Sequence, residues 1–190
     1  MNTQAIILVG GEGTRLNDHV RFDPAIEVPK PLQEVGGKPF LSYLIRRLQG
    51  AGVLDIVLIV GYRKESYVYM TDKYRVKLWD TQPDVNKAVL AYPHLGRQFI
   101  LLNGDCYPVM DWRILAESKG PMVPVKICDR DAGVAIVDKI DLASGLVSVQ
   151  DISSMRRIYP EVIIEGGLHI GTPQGLHRAR QYFDMIVFGQ

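Results

Sequence analysis

Three short apolar runs, each leading straight into glycine, constrain this chain more than any other feature. Residues 5–9 run into Gly10 and Gly11, residues 55–60 into Gly61, and residues 98–102 into Asn103 and Gly104. Runs of this length without polar alternation suit strands buried on both faces of a parallel sheet. In an open α/β sheet the ligand sits beyond the carboxyl ends of the strands. The three glycine-bearing ends are therefore expected on one edge of the sheet, facing one site.

Between the first two runs, residues 39–49 predict a helix. Pro39 suits a first helical turn. Phe40, Leu41, Leu44, Ile45 and Leu48 make one apolar stripe, Arg46, Arg47 and Gln49 face away, and Gly50 and Gly52 end it. Strand, helix, strand in that order predicts a right-handed parallel crossover. Further helices are expected at 84–91 and 174–182, and further strands at 123–127 and 135–137. The fold class expected is α/β, a Rossmann-like three-layer sandwich with a mostly parallel central sheet. The 190 residues are enough for one domain with a real core, so 1–190 is read as a single domain.

Apolar residues make up 47 % of the chain, which sets disorder aside. The 22 basic and 21 acidic side chains leave a net charge of +1, so bulk electrostatics point to neither nucleic acid nor a membrane surface. Cys106 and Cys128 match no zinc or redox spacing and make no disulfide framework, as suits a reducing compartment. The first residues lack a basic stretch followed by a signal-length apolar run. The longest apolar run, 56–60, falls far short of the roughly 20 residues a membrane span needs. A cytoplasmic protein is expected.

Gly10, Gly11, Glu12, Gly13, Thr14, Arg15 and Leu16 follow the first run directly. Glycines let backbone N–H groups approach a phosphate closely, and a guanidinium just beyond them suits bidentate phosphate contact. The loop lacks the Gly-Lys-Ser/Thr of a P-loop and the third glycine of a dinucleotide fingerprint. Lys30 stands between Pro29 and Pro31, which stiffen its backbone, so its ammonium is carried on a rigid loop.

The glycine loop 10–16, then Pro29 to Leu32, then Val35 to Leu41, then a run ending in Val60, Gly61 and Tyr62, together resemble the sugar-1-phosphate nucleotidyltransferases, the nucleotide-diphosphate-sugar pyrophosphorylases. The likeness is strong over residues 3–65, continues at Ile100 to Asp105 and returns at Ile170 to Leu176. It is nearest to short bacterial members acting on mannose-, heptose- or glucose-1-phosphate. The resemblance implies an enzyme joining a nucleoside monophosphate, from a nucleoside triphosphate, to a sugar-1-phosphate with release of pyrophosphate. Residues 1–110 would be its nucleotide-binding half and 111–190 a shortened acceptor half. Val9, Gly10, Gly11, Gly13, Thr14, Arg15 and Gly104 would line the nucleotide. Arg15 would hold the leaving phosphates, Lys30 the α-phosphate and incoming phosphate, and Asp105 a Mg²⁺ ion, with Mn²⁺ as the alternative. A homodimer is among the assemblies such families form.

Three departures from the family pattern bear on function. The segment 80–89 lacks the usual glycines, and Gln82 and Asn86 are its candidate base contacts, each amide offering donors and an acceptor. His169 stands where the family places a later metal aspartate. Imidazole suits Mn²⁺, Zn²⁺ or Co²⁺ better than Mg²⁺, so His169 is open between a metal ligand, a phosphate contact and a structural histidine, with Glu165 nearby as a carboxylate source. The acceptor region is compressed, leaving Lys126, Gly166 and Gly167 as candidate contacts, while the stretch holding Arg21, Asp23 and Glu27 is either a lid or a surface insertion. Two other readings stay open: a catalytically weakened nucleotide-binding paralogue, and a cytidylyltransferase for a small non-sugar phosphate such as phosphocholine.

Overall fold

The computed structural model describes residues 4–12, 28–81, 83–126, 132–164 and 166–188; of the side chains at 125, 126, 187 and 188 nothing is said. Its strands are β1 (Gln4–Leu8), β2 (Glu34–Val35), β3 (Lys38–Pro39), β4 (Asp55–Val60), β5 (Lys77–Asp80), β6 (Gln98–Asn103), β7 (Cys106–Val109), β8 (Val123–Lys126), β9 (Val134–Asp138), β10 (Glu161–Ile164) and β11 (Gly166–His169). Its helices are α1 (Phe40–Gly50), α2 (Val68–Tyr74), α3 (Val85–Leu90), α4 (Arg113–Glu117), α5 (Lys139–Ala143), α6 (Ile152–Met155) and α7 (Pro173–Phe188).

Five strands form the central sheet in the order β5-β4-β1-β6-β9. The pairs β1–β4, β1–β6 and β4–β5 are parallel, and β9 joins antiparallel to β6. The mostly parallel α/β sheet read from the sequence is thus the one observed. Alternation along each strand divides its side chains between two cores. Ala5, Ile7, Leu58, Ile100 and Leu102 belong to one, and Ile6, Val57, Ile59, Phe99 and Leu101 to the other. Both faces are covered, which is why these strands show no polar alternation.

The apolar stripe of α1 lies in the first core, with Phe40, Leu41, Leu44, Ile45 and Leu48 all fully buried. On the opposite face α3 is capped by Asp84, whose carboxylate accepts from the N–H groups of Asn86 and Lys87. The last helix runs longer than the expected 174–182. Leu176, Ala179 and Phe183 carry its buried stripe one position past Tyr182, and the helix continues through exposed Met185 and Ile186. Three small sheets flank the core: the hairpin β2–β3, the parallel pair β8–β10 and the antiparallel pair β7–β11. Among the described residues no helix is long and apolar enough to cross a membrane.

Candidate functional site

The carboxyl ends of the three central strands are level, because Leu8 pairs with both Ile59 and Asn103. Beyond that edge the backbone is held from both sides. Tyr62 N–H donates to the Gly10 carbonyl at 3.1 Å, and the buried Tyr67 hydroxyl donates to the Val9 carbonyl at 3.1 Å. From the other neighbour, Gly104 N–H donates to the Leu8 carbonyl at 2.9 Å. Gly10 and Gly61 touch backbone to backbone, and a Cβ on Gly10 would stand 3.0 Å from the Gly61 nitrogen. The start of the glycine loop is therefore a fixed platform of backbone, and the three glycine-ended runs end on one edge of the sheet as expected.

Lys30 opens a 3-10 turn, Lys30–Leu32, whose Pro31 and Leu32 are buried. Gln33 N–H donates to the Lys30 carbonyl at 3.1 Å. So anchored, Lys30 directs its ammonium to Asp105, with Nζ 3.9 Å from Oδ2. Asp105 sits in the turn between β6 and β7. On its far side His169 Nε2 is hydrogen-bonded to Oδ2 at 3.2 Å, and the Cys106 thiol donates to Oδ1 at 3.5 Å. Burial pushes the Asp105 carboxyl up, but the His169 hydrogen bond, the charges of His169 and Lys30 and the Cys106 thiol outweigh it, leaving the carboxyl below the usual carboxylate range. The carboxylate is thus kept ionised at a half-open position.

The β7–β11 ladder brings His169 there. It pairs His169 with Cys106 and Leu168 with Tyr107, and Ile170 N–H extends it to the Asp105 carbonyl at 2.9 Å. Aromatic packing holds the ladder in place. Tyr107 meets Phe40, Trp112, Tyr182 and Phe183, and its hydroxyl accepts from Arg47 Nε at 2.9 Å.

Asp105, Cys106 and His169 each offer one ligand atom, and these atoms lie within 4.8 Å of one another. This cluster fits a divalent cation. Only one of its donors is oxygen, so Mg²⁺ would find a single hard protein ligand and would depend on phosphate oxygens and water for the rest.

Lys30, Asp105 and His169 meet in space, and Gly104, next to Asp105, packs against Val9 and Pro31. Gly11 is exposed at the start of the loop, and among the described residues nothing lies within 4 Å of where its Cβ would stand. Gly13, Thr14, Arg15, Gln82 and Glu165 lie outside the described residues, as do Arg21, Asp23 and Glu27 of the suggested lid, and the side chain of Lys126 is likewise not described. Gly166 and Gly167 pair with Val109 and Pro108 in the β7–β11 ladder. Asn86 spends its amide internally: its oxygen accepts from Val149 N–H at 2.9 Å, and its Nδ2 donates to Ser148 Oγ at 3.1 Å. Sequence reasoning missed Cys106. The signal was its position next to Asp105, which a search for cysteine spacing does not see.

The fold is Rossmann-like and is shared with solved structures such as the inositol-1-phosphate CTP transferase of T. maritima, with a TM-score of 0.71 at 17% identity. Residues 5–97 match the family model of the MobA-like NTP transferase domain, and over that region the chain is similar to the nucleotidyltransferases. The choline-phosphate cytidylyltransferase of Streptococcus pneumoniae is 45% identical over 76 residues, covering 40% of this chain and 31% of that protein. The mannose-1-phosphate guanyltransferase of Aspergillus fumigatus is 44% identical over 150 residues, 73% of this chain and 38% of that protein. The chain thus spans about a third of the length of these curated relatives. The crystal structure of HddC from Yersinia pseudotuberculosis complexed with GMP-PN superposes with a TM-score of 0.74 at 21% identity, covering 95% of this chain and 99% of that one.

Proposed function

We propose that this chain is a metal-dependent nucleotidyltransferase, acting in the cytoplasm, that joins a nucleoside monophosphate from a nucleoside triphosphate to a sugar-1-phosphate and releases pyrophosphate. The observation that carries the reading is the meeting of Lys30 and Asp105, 3.9 Å apart, over the level glycine-bearing ends of the sheet. A fixed ammonium and an ionised carboxylate side by side suit a bound phosphate and its counter-cation. The similarity to mannose-1-phosphate guanyltransferases supports a sugar-phosphate acceptor.

The protein needs no nucleophile of its own. A phosphate oxygen of the acceptor forms the new bond to the α-phosphorus, the bond from that phosphorus to the bridging oxygen breaks, and pyrophosphate leaves. Lys30 neutralises the phosphate oxygens as charge builds, and the backbone at Gly10 and Gly11 admits the phosphates without side-chain obstruction. Gly13, Thr14 and Arg15 complete that cradle in this reading, with Arg15 on the leaving phosphates. Gln82 is proposed as the base contact. Asn86 serves less directly, since its amide is committed to Ser148 and Val149. Asp105 would hold the divalent cation, which would supply charge neutralisation for the phosphates.

The test is pyrophosphate release from each of the five common triphosphates with a pool of hexose- and heptose-1-phosphates. Acceptor-dependent release that falls by about a hundredfold or more in Asp105→Ala and Lys30→Met supports the reading. Release with no pair from a folded, nucleotide-binding protein overturns it in favour of a binding paralogue. The 45% identity to a choline-phosphate cytidylyltransferase favours a second acceptor, phosphocholine with CTP, which belongs in the same panel.

A further inference from the structure

We propose that Asp105, Cys106 and His169 form one three-ligand site for a transition-metal cation of borderline softness, Zn²⁺ or Co²⁺ in type, with the Cys106 thiolate as a direct ligand. The proposal deepens the reading of Asp105 as the metal carboxylate, and rests on it only for what the ion does in catalysis.

The first support is the way two strands assemble the cluster. Cys106 and His169 are directly opposite in the antiparallel β7–β11 pair, so their side chains leave the same face. Asp105 precedes Cys106, and its own carbonyl is tied to Ile170 N–H at 2.9 Å. Ligands carried on paired strands are held more precisely than ligands on loops.

The second support is separation. His169 Nε2 lies 3.2 Å from Asp105 Oδ2 and Cys106 Sγ 3.5 Å from Asp105 Oδ1, and one ligand atom from each of the three residues lies within 4.8 Å of the others. Around a tetrahedral ion with ordinary zinc bonds to nitrogen, oxygen and sulfur, neighbouring ligand atoms stand about 3.3–3.6 Å apart. A shared ion would draw the three ligand atoms inward from the 4.8 Å that bounds their separation.

The third is the space made for two of the ligands. Gly133 takes a left-handed φ of 70°, and a Cβ there would fall on the Cβ and Sγ of Cys106. Its carbonyl accepts from Asn103 N–H at 2.8 Å, which fixes that backbone against the end of β6. A Cβ on Gly171 would fall on the His169 ring. Both side chains occupy room that only glycine leaves.

Donor chemistry then selects the ion. Thiolate and imidazole favour Zn²⁺ and Co²⁺, whereas Mg²⁺ asks for oxygen throughout. Three protein ligands leave a fourth position for a substrate oxygen, the pattern of catalytic rather than structural zinc sites. The 40% exposure of the His169 side chain and 23% of Asp105 leave the cluster accessible. The Lys30 ammonium, 3.9 Å from Asp105 Oδ2, is the competing cation and stays beside the site as the partner for phosphate.

The experiment titrates the metal-stripped full chain with Co²⁺ and reads absorption. The expected result is one equivalent bound with a sulfur-to-metal charge-transfer band and visible bands of tetrahedral intensity. Cys106→Ser should abolish the charge-transfer band, and His169→Ala should weaken Co²⁺ binding by more than about tenfold, the loss seen even for outer-shell partners. Cys128→Ser should change neither. Zn²⁺ should displace Co²⁺, and a hundredfold excess of Mg²⁺, on the order of the widest of those losses, should not. A wild-type spectrum without the charge-transfer band, a band surviving Cys106→Ser, or displacement by Mg²⁺ would overturn the site. Because binding is read without turnover, Mg²⁺-supported pyrophosphate release from a protein lacking the band would sink this proposal and leave the transferase reading standing. The band without release would do the reverse.

Discussion

Single residues here carry distinct electrostatic work. Asp105 is ionised against its own burial by His169, Lys30 and Cys106. Asp105→Asn keeps the shape and removes the charge, so pyrophosphate release should drop by roughly a hundredfold or more while the thermal midpoint of unfolding stays nearly unchanged. Tyr67 works on stability instead. Its buried hydroxyl donates to Val9, and burial pushes its ionisation well above the ordinary 10.0. A raised folded-state value favours the neutral phenol in the native state. The stabilisation is therefore fully present below about pH 10 and lost as pH rises toward the folded value. Denaturation midpoints should fall above that pH. Tyr67→Phe should flatten part of the fall and cost about 1 kcal/mol at neutral pH, measured by denaturant titration. Tyr159, raised likewise by burial and its hydrogen bond to Asp141, carries another part.

At the scale of elements, the parts legible in the sequence were those whose pattern is local. The three apolar runs became β1, β4 and β6, and the stripe from Phe40 to Leu48 became α1, because a buried run and a 3.6-residue period are each written within a dozen residues. The β7–β11 ladder was not legible: β7 holds Tyr107 and Pro108, β11 begins with two glycines, and their pairing is set by the aromatic cluster rather than by either segment's propensity. His169 was singled out by its place in a motif, yet its meeting with Cys106 depended on that unread pairing. Asn86 shows the converse. Its amide reads as a base contact in sequence, but its geometry makes it a strap from α3 to residues 148 and 149. Asn86→Ala leaves Val149 N–H without its partner and should cost about 1–3 kcal/mol. Hydrogen exchange should show faster opening confined first to residues 147–151.

Taken whole, the molecule joins its early and late segments in shared cores. Phe183 near the end of the described chain packs edge-on against Phe40 and Tyr107, with ring centroids 6.1 and 5.2 Å apart. Phe183→Ala should therefore cost about 3–5 kcal/mol. It should lower one cooperative transition, seen alike by circular dichroism and fluorescence, rather than detach the last helix alone. The position of β1 has a further consequence for synthesis. It lies in the middle of the sheet with β4 on one side and β6 on the other, yet it is made before both. One flank stays open until β4 leaves the ribosome, and the other until β6 follows, about 90 residues behind β1. At about 5–20 residues per second the wait lasts roughly 5–20 seconds. During that interval an apolar strand with bare backbone edges must be kept from pairing with its neighbours on the polysome. The central place of β1, which levels the edge of the finished sheet, thus leaves its backbone edges unpaired while its neighbours are being made.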